Sequence, residues 1–133
     1  MPTVRRKSSS ILLEARRETL HAVSWQVHSN VWSPPTDEYE TEDAYVVRVE
    51  IAGMREDDFE VLLENDTLLI SGSRSDFPER RAYQQMEIRF GKFATAVSIP
   101  APVNVDQAHA EYKDGFLTVI LPKATPNQIE VEQ

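Results

Sequence analysis

The stretch of sequence that decides the fold is residues 44–51, which read AYVVRVEI. Apolar side chains occupy every second position from Tyr45 to Ile51, and Arg48 and Glu50 fall on the opposite face. A period of two residues is that of a β-strand with one face buried. The buried face is predicted to consist of Tyr45, Val47, Val49 and Ile51.

The same alternation recurs along the rest of the chain. Residues 59–64 alternate, and Asn65-Asp66 then turns the chain back into residues 67–71, which predicts a hairpin. A polar, proline-containing segment over residues 74–82 predicts a long loop. Further strands are predicted over residues 83–90, 93–99, 108–112 and 116–121. Many short strands with no helices between them indicate an all-β antiparallel sandwich or barrel.

The two ends of the chain differ from this central part. Residues 1–31 predict an amphipathic arm, with an N-cap at Ser8–Ser10 and a helix that ends at the prolines after Trp32. This helix either packs on its own domain or docks on other chains. Its apolar residues, the candidates for binding other chains, are Ile11, Leu12, Leu13, Leu20, Val23, Trp25 and Val27. In the polar C-terminal extension, residues 124–133, Ile129 and Val131 are two positions apart. In an extended strand both side chains would therefore point to the same face.

Charge is distributed unevenly along the chain. Residues 1–30 carry five Lys/Arg and two Glu, whereas residues 31–133 carry nine Lys/Arg and twenty Asp/Glu. An acidic body repels phosphates, which argues against a nucleic acid partner. The chain has no cysteine, and no segment resembles a secretory signal or a membrane span. We therefore expect a cytoplasmic protein that requires no membrane.

No arrangement of residues typical of catalysis stands out. His21, His28 and His109 belong to no cluster with the spacing of a metal site, and the four glycines are too far apart for a phosphate-binding loop. The sequence therefore predicts no catalytic residues, no metal, no cofactor and no enzymatic activity.

An ordered set of motifs resembles the α-crystallin domain of the small heat-shock proteins in their bacterial and plant branch. The set covers residues 32–123, about two-thirds of the chain, and its most specific part is the closing run Gly115-x-Leu117-x-Val119-x-Leu121-Pro122-Lys123. The earlier motifs are Trp32-x-Pro34-x-x-Asp37, Ile51-Ala52-Gly53, Leu68-x-Ile70-x-Gly72-x-Arg74 and Glu87-x-x-x-Gly91-x-Phe93.

The resemblance implies an immunoglobulin-like β-sandwich over residues 32–123 that acts in the stress response as an ATP-independent holdase for unfolding proteins. It implies a homodimer that exchanges a strand and assembles into a larger homo-oligomer. Ile129 and Val131 would then be a latch that inserts between the strands at residues 59–64 and 93–99 of a neighbouring domain. The residues implied in strand exchange are Tyr83, Gln84, Gln85 and Trp32, and those of the groove for the latch are Phe59, Val61, Leu63 and Val97.

The chain departs from the family pattern at three positions. Ile88 and Thr95 stand where basic residues are common, which affects the expected ion pairs of the dimer, and Phe116 stands where a smaller residue is usual. The alternative function is that of a monomeric co-chaperone or adaptor sandwich, which would lack the terminal latch.

Overall fold

The computed structural model describes residues 4–5, 31–79 and 81–125, which form eight β-strands. Two short 3-10 turns, Glu56–Asp58 and Val105–Gln107, lie between strands. The strands are β1 (Val4–Arg5), β2 (Thr36–Glu40), β3 (Ala44–Glu50), β4 (Phe59–Glu64), β5 (Thr67–Arg74), β6 (Gly91–Ser98), β7 (His109–Lys113) and β8 (Phe116–Pro122).

The strands form two four-stranded sheets. Sheet A has the order β1-β4-β5-β6, and sheet B has the order β2-β3-β8-β7. Every pairing is antiparallel except that of β1, which runs parallel to β4 with Val4 opposite Val61 and Arg5 opposite Leu62. The predicted all-β sandwich is confirmed.

The core lies between the two sheets and is filled by the alternating positions that the sequence indicates. Val47, Val49 and Ile51 are fully buried, and Tyr45 is nearly so, while Arg48 and Glu50 are exposed. Leu117, Val119 and Leu121 of β8 lie beside them in sheet B and point into the same core. Sheet A contributes its own alternating set from the other side. Burial of each such side chain stabilises the fold by about 1.5–3 kcal/mol. The inward-facing members of sheet A are Phe59, Val61, Leu63, Leu68, Ile70 and Phe93.

Two glycines are required for different reasons. Gly115 follows Asp114 in the turn between β7 and β8, and both have positive φ, +84° and +54°, as a two-residue type I′ hairpin requires. Gly72 lies inside β5 without a positive φ, but a Cβ there would sit 2.8 Å from Cζ of Phe93 and 2.9 Å from the backbone oxygen of Asp58. Gly72 therefore allows the Phe93 ring to pack directly against the backbone.

The structure corrects the predicted strands at three places. Residues 83–90 form no strand in the single chain, because no neighbouring strand supplies partners for their backbone hydrogen bonds. Strand β2 was not predicted, since its sequence, TDEYE, is almost entirely exposed and lacks an apolar face. Strand β1 lies in the predicted arm and joins sheet A. The predicted helix and its apolar residues between positions 11 and 27 lie outside the described residues.

Candidate functional site

The long segment between β5 and β6, here called the β5–β6 loop and comprising residues 75–90, carries an unusual amount of exposed apolar surface. Phe77 is 75% exposed, Met86 and Ile88 are each 66% exposed, and Tyr83 is 48% exposed. Soluble monomers rarely leave several large apolar side chains of one segment in water unless the segment contacts a partner. The loop is therefore the first candidate for a protein–protein contact, and it contains the predicted exchange residues Tyr83, Gln84 and Gln85.

Arg81 organises the first half of this loop. Its guanidinium donates hydrogen bonds to Glu79 at 2.7 Å, to Asp76 at 3.3 Å and to the hydroxyl of Tyr83 at 3.0 Å. The hydrogen bond to Glu79, followed by that to Tyr83, raises the pKa of Arg81 above its ordinary value. The guanidinium also lies 5.7 Å from the centre of the Phe77 ring. These local contacts give the loop a definite shape although it has no regular secondary structure.

Arg74, the last residue of β5, fastens the root of the loop to the sandwich. Its Nε donates to the backbone oxygen of Arg89 at 2.9 Å, and its Nη2 donates to the same oxygen. Its Nη1 donates to the backbone oxygen of Ala52 at 3.1 Å. The guanidinium lies 4.7 Å from the ring centre of Trp32 and 5.3 Å from that of Phe90. Sequence reasoning recorded this residue only as part of a motif and assigned it no role.

Trp32, predicted to take part in strand exchange, is buried in its own domain. It is 6% exposed, packs 5.7 Å from the ring of Phe93, and donates from Nε1 to the backbone oxygen of Gly91 at 3.3 Å. Its backbone forms a parallel bridge with Phe93, with hydrogen bonds to Lys92 and Ala94. Trp32 thus covers part of the outer edge of β6, and its side chain is not available at the surface of the single chain.

The predicted groove for the latch lies between the strands at residues 59–64 and 93–99, which are β4 and β6, and β5 lies between them in sheet A. Phe59, Val61 and Leu63 face the core and are at most 9% exposed, since alternate residues of a strand point to one face. Val97 lies across from Leu68 of β5 and is partly buried against the core. The four residues thus contribute to the core of the single chain, and the groove for the latch stays a prediction.

A recess of about 550 Å³, with more polar than apolar surface, opens at one end of the sandwich. Leu63 lines it together with Ile99, Val103 and Val105, and Asn65 and Asp66 form its polar rim. The chain leaves sheet B beside this recess, because Lys123 forms a bridge with Val103 and the backbone nitrogen of Ala124 donates to Pro102 at 3.1 Å. The latch residues Ile129 and Val131 lie outside the described residues.

Strand β2 forms an outer edge of sheet B. Within the part of the chain that the structure describes, it pairs only with β3, and its exposed residues include Tyr39, at 45% exposure. An unpaired edge of this kind can accept a strand from another chain. Strand β2 is attached to sheet A by a hydrogen bond of 3.1 Å from the hydroxyl of Thr36 to that of Thr95, which is 8% exposed. Thr95, one of the departures from the family pattern, thus supports the β2 edge.

An ion pair attaches the other end of β2 to the end of β8. Nζ of Lys123 donates to Oε2 of Glu40 at 2.6 Å, and this hydrogen bond raises the pKa of Lys123 above its ordinary value. Nζ also lies 5.4 Å from the ring centre of Tyr45. The last residue of the Leu-Pro-Lys motif therefore holds the edge strand in place.

The described residues contain no group of three or more His, Asp or Glu that could hold a metal ion. His109 is exposed, and its Nδ1 lies 3.2 Å from the backbone oxygen of Gln107. His21 and His28 lie outside the described residues. Within the part of the chain that the structure describes, no helix is long and apolar enough to cross a membrane.

Comparison with known proteins agrees with the fold. The profile of the Hsp20/alpha crystallin family matches residues 37–133. The chain is 31% identical over 104 residues to small heat shock protein C4 of Rickettsia felis, which covers 75% of this chain and 64% of that relative. It is 26% identical over 125 residues to a probable 15 kDa heat shock protein of Leptospira interrogans, which covers 94% and 96% of the two chains.

Solved structures show the same architecture. Heat shock protein 16.0 from Schizosaccharomyces pombe superposes with a TM-score of 0.63 and 33% identity, over 69% of this chain and 87% of that chain. The hspA protein from Xanthomonas axonopodis superposes with a TM-score of 0.64 and 26% identity, over 69% and 94% of the two chains.

The β-sandwich therefore defines an α-crystallin-type domain. The chain belongs to the Hsp20/alpha crystallin family, the small heat shock proteins. Membership of this family supports a chaperone role.

Proposed function

We propose that the protein is an ATP-independent holdase that binds unfolding proteins in the cytoplasm and prevents their aggregation, and that it works from a dynamic homo-oligomer without a cofactor. The observation that carries the proposal is the exposed apolar surface of the β5–β6 loop on an α-crystallin-type sandwich. Such surface is unfavourable in an isolated monomer and is covered when a second copy binds.

The dimer forms by exchange of the β5–β6 loop between two copies. Residues Tyr83–Gln85 of one copy add as a strand to the outer edge of β2 of the other. Two complementary features support this arrangement: among the described residues, positions 81–90 pair with no strand and β2 pairs along one edge only. Addition of a strand to an exposed edge satisfies the backbone hydrogen bonds of both segments.

Larger assembly uses the C-terminal latch, Ile129 and Val131. Ile129 lies six positions after Lys123, so the extended tail reaches about 20 Å, enough to contact a neighbouring sandwich. Its acceptor is the recess that Leu63, a residue of the predicted groove, lines together with Val103. Burial of the two side chains contributes roughly 1.5–3 kcal/mol each before the cost of ordering the tail. One such contact is weak and reversible, whereas many in a closed assembly add up.

Clients bind to the N-terminal arm, whose apolar residues lie between Ile11 and Val27. The arm combines these residues with a net positive charge, which suits segments of unfolding proteins that are apolar and acidic. The acidic body of the protein disfavours nucleic acids as competing ligands.

The holdase activity is tested by light scattering of a heat-labile protein, without nucleotide, at sub-stoichiometric and equimolar ratios of this chain. The expected result is suppression of scattering that increases with the ratio. A variant with Leu13→Ser and Leu20→Ser should suppress less, and Gln26→Ser with Asn30→Ser serves as the control that leaves the apolar residues and the charge of the arm intact. Unchanged aggregation of the client at an equimolar ratio would refute the proposal.

The latch is tested by native mass. The variant Ile129→Gly/Val131→Gly should run as a smaller species than the wild type, whereas Gln128→Gly/Glu130→Gly adds the same flexibility and should retain the wild-type mass. If the wild type and the latch variant both run as the same monomer, the chain is a monomeric co-chaperone or adaptor instead.

A further inference from the structure

Arg74 connects four segments of the chain that are distant in sequence. Its side chain contacts Trp32 before β2, Ala52 after β3, and Arg89 and Phe90 at the end of the β5–β6 loop. Arg74 itself is the last residue of β5, and it lies opposite Gly91, the first residue of β6. The guanidinium therefore lies where the loop leaves and re-enters sheet A.

The geometry of these contacts depends on the shape of a guanidinium. Nε and Nη2 both donate to the backbone oxygen of Arg89, while Nη1 points to Ala52 at 3.1 Å. The planar group also lies near the rings of Trp32 and Phe90, at 4.7 and 5.3 Å. An ammonium group has no planar fork and stacks less well on rings, so lysine preserves the charge but not this set of contacts.

The Arg74 side chain contacts both segments that take part in the proposed exchange. Its bonds to Arg89 fix the root of the loop that carries Tyr83–Gln85, the donor strand. Its contact with Trp32 holds the segment that enters β2, the acceptor strand, four residues before β2 begins. Trp32 is in turn fixed to Gly91 and Phe93 of β6.

We infer that Arg74 is a positioning residue for dimer formation, which sets the direction of the donor loop and the position of the acceptor strand through one guanidinium. This inference rests on the strand exchange under the proposed function. It differs from a purely structural role, because loss of the fork leaves the core of the sandwich intact and changes only the orientation of the two exchange elements.

The test compares Arg74→Lys with Arg89→Lys in the full chain. Both substitutions keep the charge, and Arg89 takes part in this cluster only through its backbone oxygen, which lysine also supplies. Dimer dissociation is measured by sedimentation over a dilution series in the Ile129→Gly/Val131→Gly background, which limits assembly to dimers. Arg74→Lys is expected to raise the dissociation constant about tenfold, which corresponds to the loss of one charged hydrogen bond, while Arg89→Lys leaves it within about twofold.

Two further measurements separate positioning from loss of structure. The circular dichroism of Arg74→Lys should match the wild type, and amide exchange should become faster in residues 81–90 but not in β3 or β8. If Arg74→Lys fails to fold, Arg74→Gln, which retains a planar amide donor, is measured in the same way. If the Arg74→Lys chain dimerises with the dissociation constant of the wild type, the inference is overturned and the proposed function stands. A wild type that is monomeric at every concentration would overturn the proposed assembly and the inference together.

Discussion

Replacement of Gly72 by alanine tests how closely sheet A packs on its own core. The added Cβ would lie 2.8 Å from Cζ of Phe93 and 2.9 Å from the backbone oxygen of Asp58, and both are closer than ordinary contact. Overpacking of a dense core costs about 1–3 kcal/mol. Alanine in place of glycine recovers about 0.4–1 kcal/mol, because it restricts the unfolded chain and the strand backbone at Gly72 suits alanine. The net expectation is a loss of about 1–2 kcal/mol.

The contribution of the Phe93 ring is isolated by a double-mutant cycle. Gly72→Ala is compared in the wild type and in a Phe93→Leu background, where Cζ is absent and only the contact with Asp58 remains. The cost of the alanine should fall by at least about 0.5 kcal/mol in that background, since residues in contact show coupling of this size. Ser73→Ala, at an exposed position of the same strand, is the control and should change stability by less than about 0.5 kcal/mol.

The assay is thermal and denaturant unfolding at one fixed protein concentration, because assembly makes the melting temperature concentration-dependent. A loss of about 1–2 kcal/mol corresponds to a fall in Tm of several degrees, roughly 3–8 °C. An alanine variant as stable as the wild type, or an equal cost in both backgrounds, would refute the argument that the Phe93 ring occupies the space that Gly72 leaves.

Three further predictions concern the edges of the sheets. The raised pKa of Lys123 means that its pair with Glu40 stabilises the fold below the ordinary lysine value of 10.5 and that this contribution is lost as the pH rises through the raised pKa. The difference in Tm between the wild type and Glu40→Gln should therefore shrink above that pH. Val4→Pro removes a backbone donor from β1, so the amides of β4 that are not bonded to β5 should exchange faster while Tm is nearly unchanged. Exchange of these amides at the wild-type rate would contradict the pairing of β1 with β4. Thr95→Val should cost about 0.5–1.5 kcal/mol in unfolding experiments through loss of its hydrogen bond with Thr36, and a neutral effect would show that this bond does not support the β2 edge.

Particular elements show how far the sequence predicts the fold. The alternation in residues 44–51 predicted β3 and its buried face, since a strand packed on one side imposes a period of two on its side chains. The residues Asn65-Asp66 predicted the β4–β5 hairpin, because both residue types favour a tight turn between adjacent strands. Strand β2 carried no such signal, because both of its faces are largely exposed and only its pairing with β3 and its contact with Thr95 make it a strand.

The candidate site was less predictable than the fold. Tyr83–Gln85 were identified through the family resemblance, and the structure adds that their surroundings are exposed and unpaired. Arg74 was missed as a functional residue, because its contacts join segments separated by 15 to more than 40 positions along the chain. Sequence order also does not state which strands are neighbours in a sheet, so the position of β5 between β4 and β6 came from the structure.

The sequence by itself determined that this protein is a β-sandwich of the small heat shock protein family, because alternation, turn residues and ordered motifs are local properties that one chain displays in one dimension. The tertiary structure alone decided that β5 separates β4 from β6, that Trp32 is buried against the core, and that one guanidinium holds the root of the β5–β6 loop. Strand order and the contacts of a side chain depend on which distant segments meet, and that is settled only when the two sheets bury their apolar faces against each other.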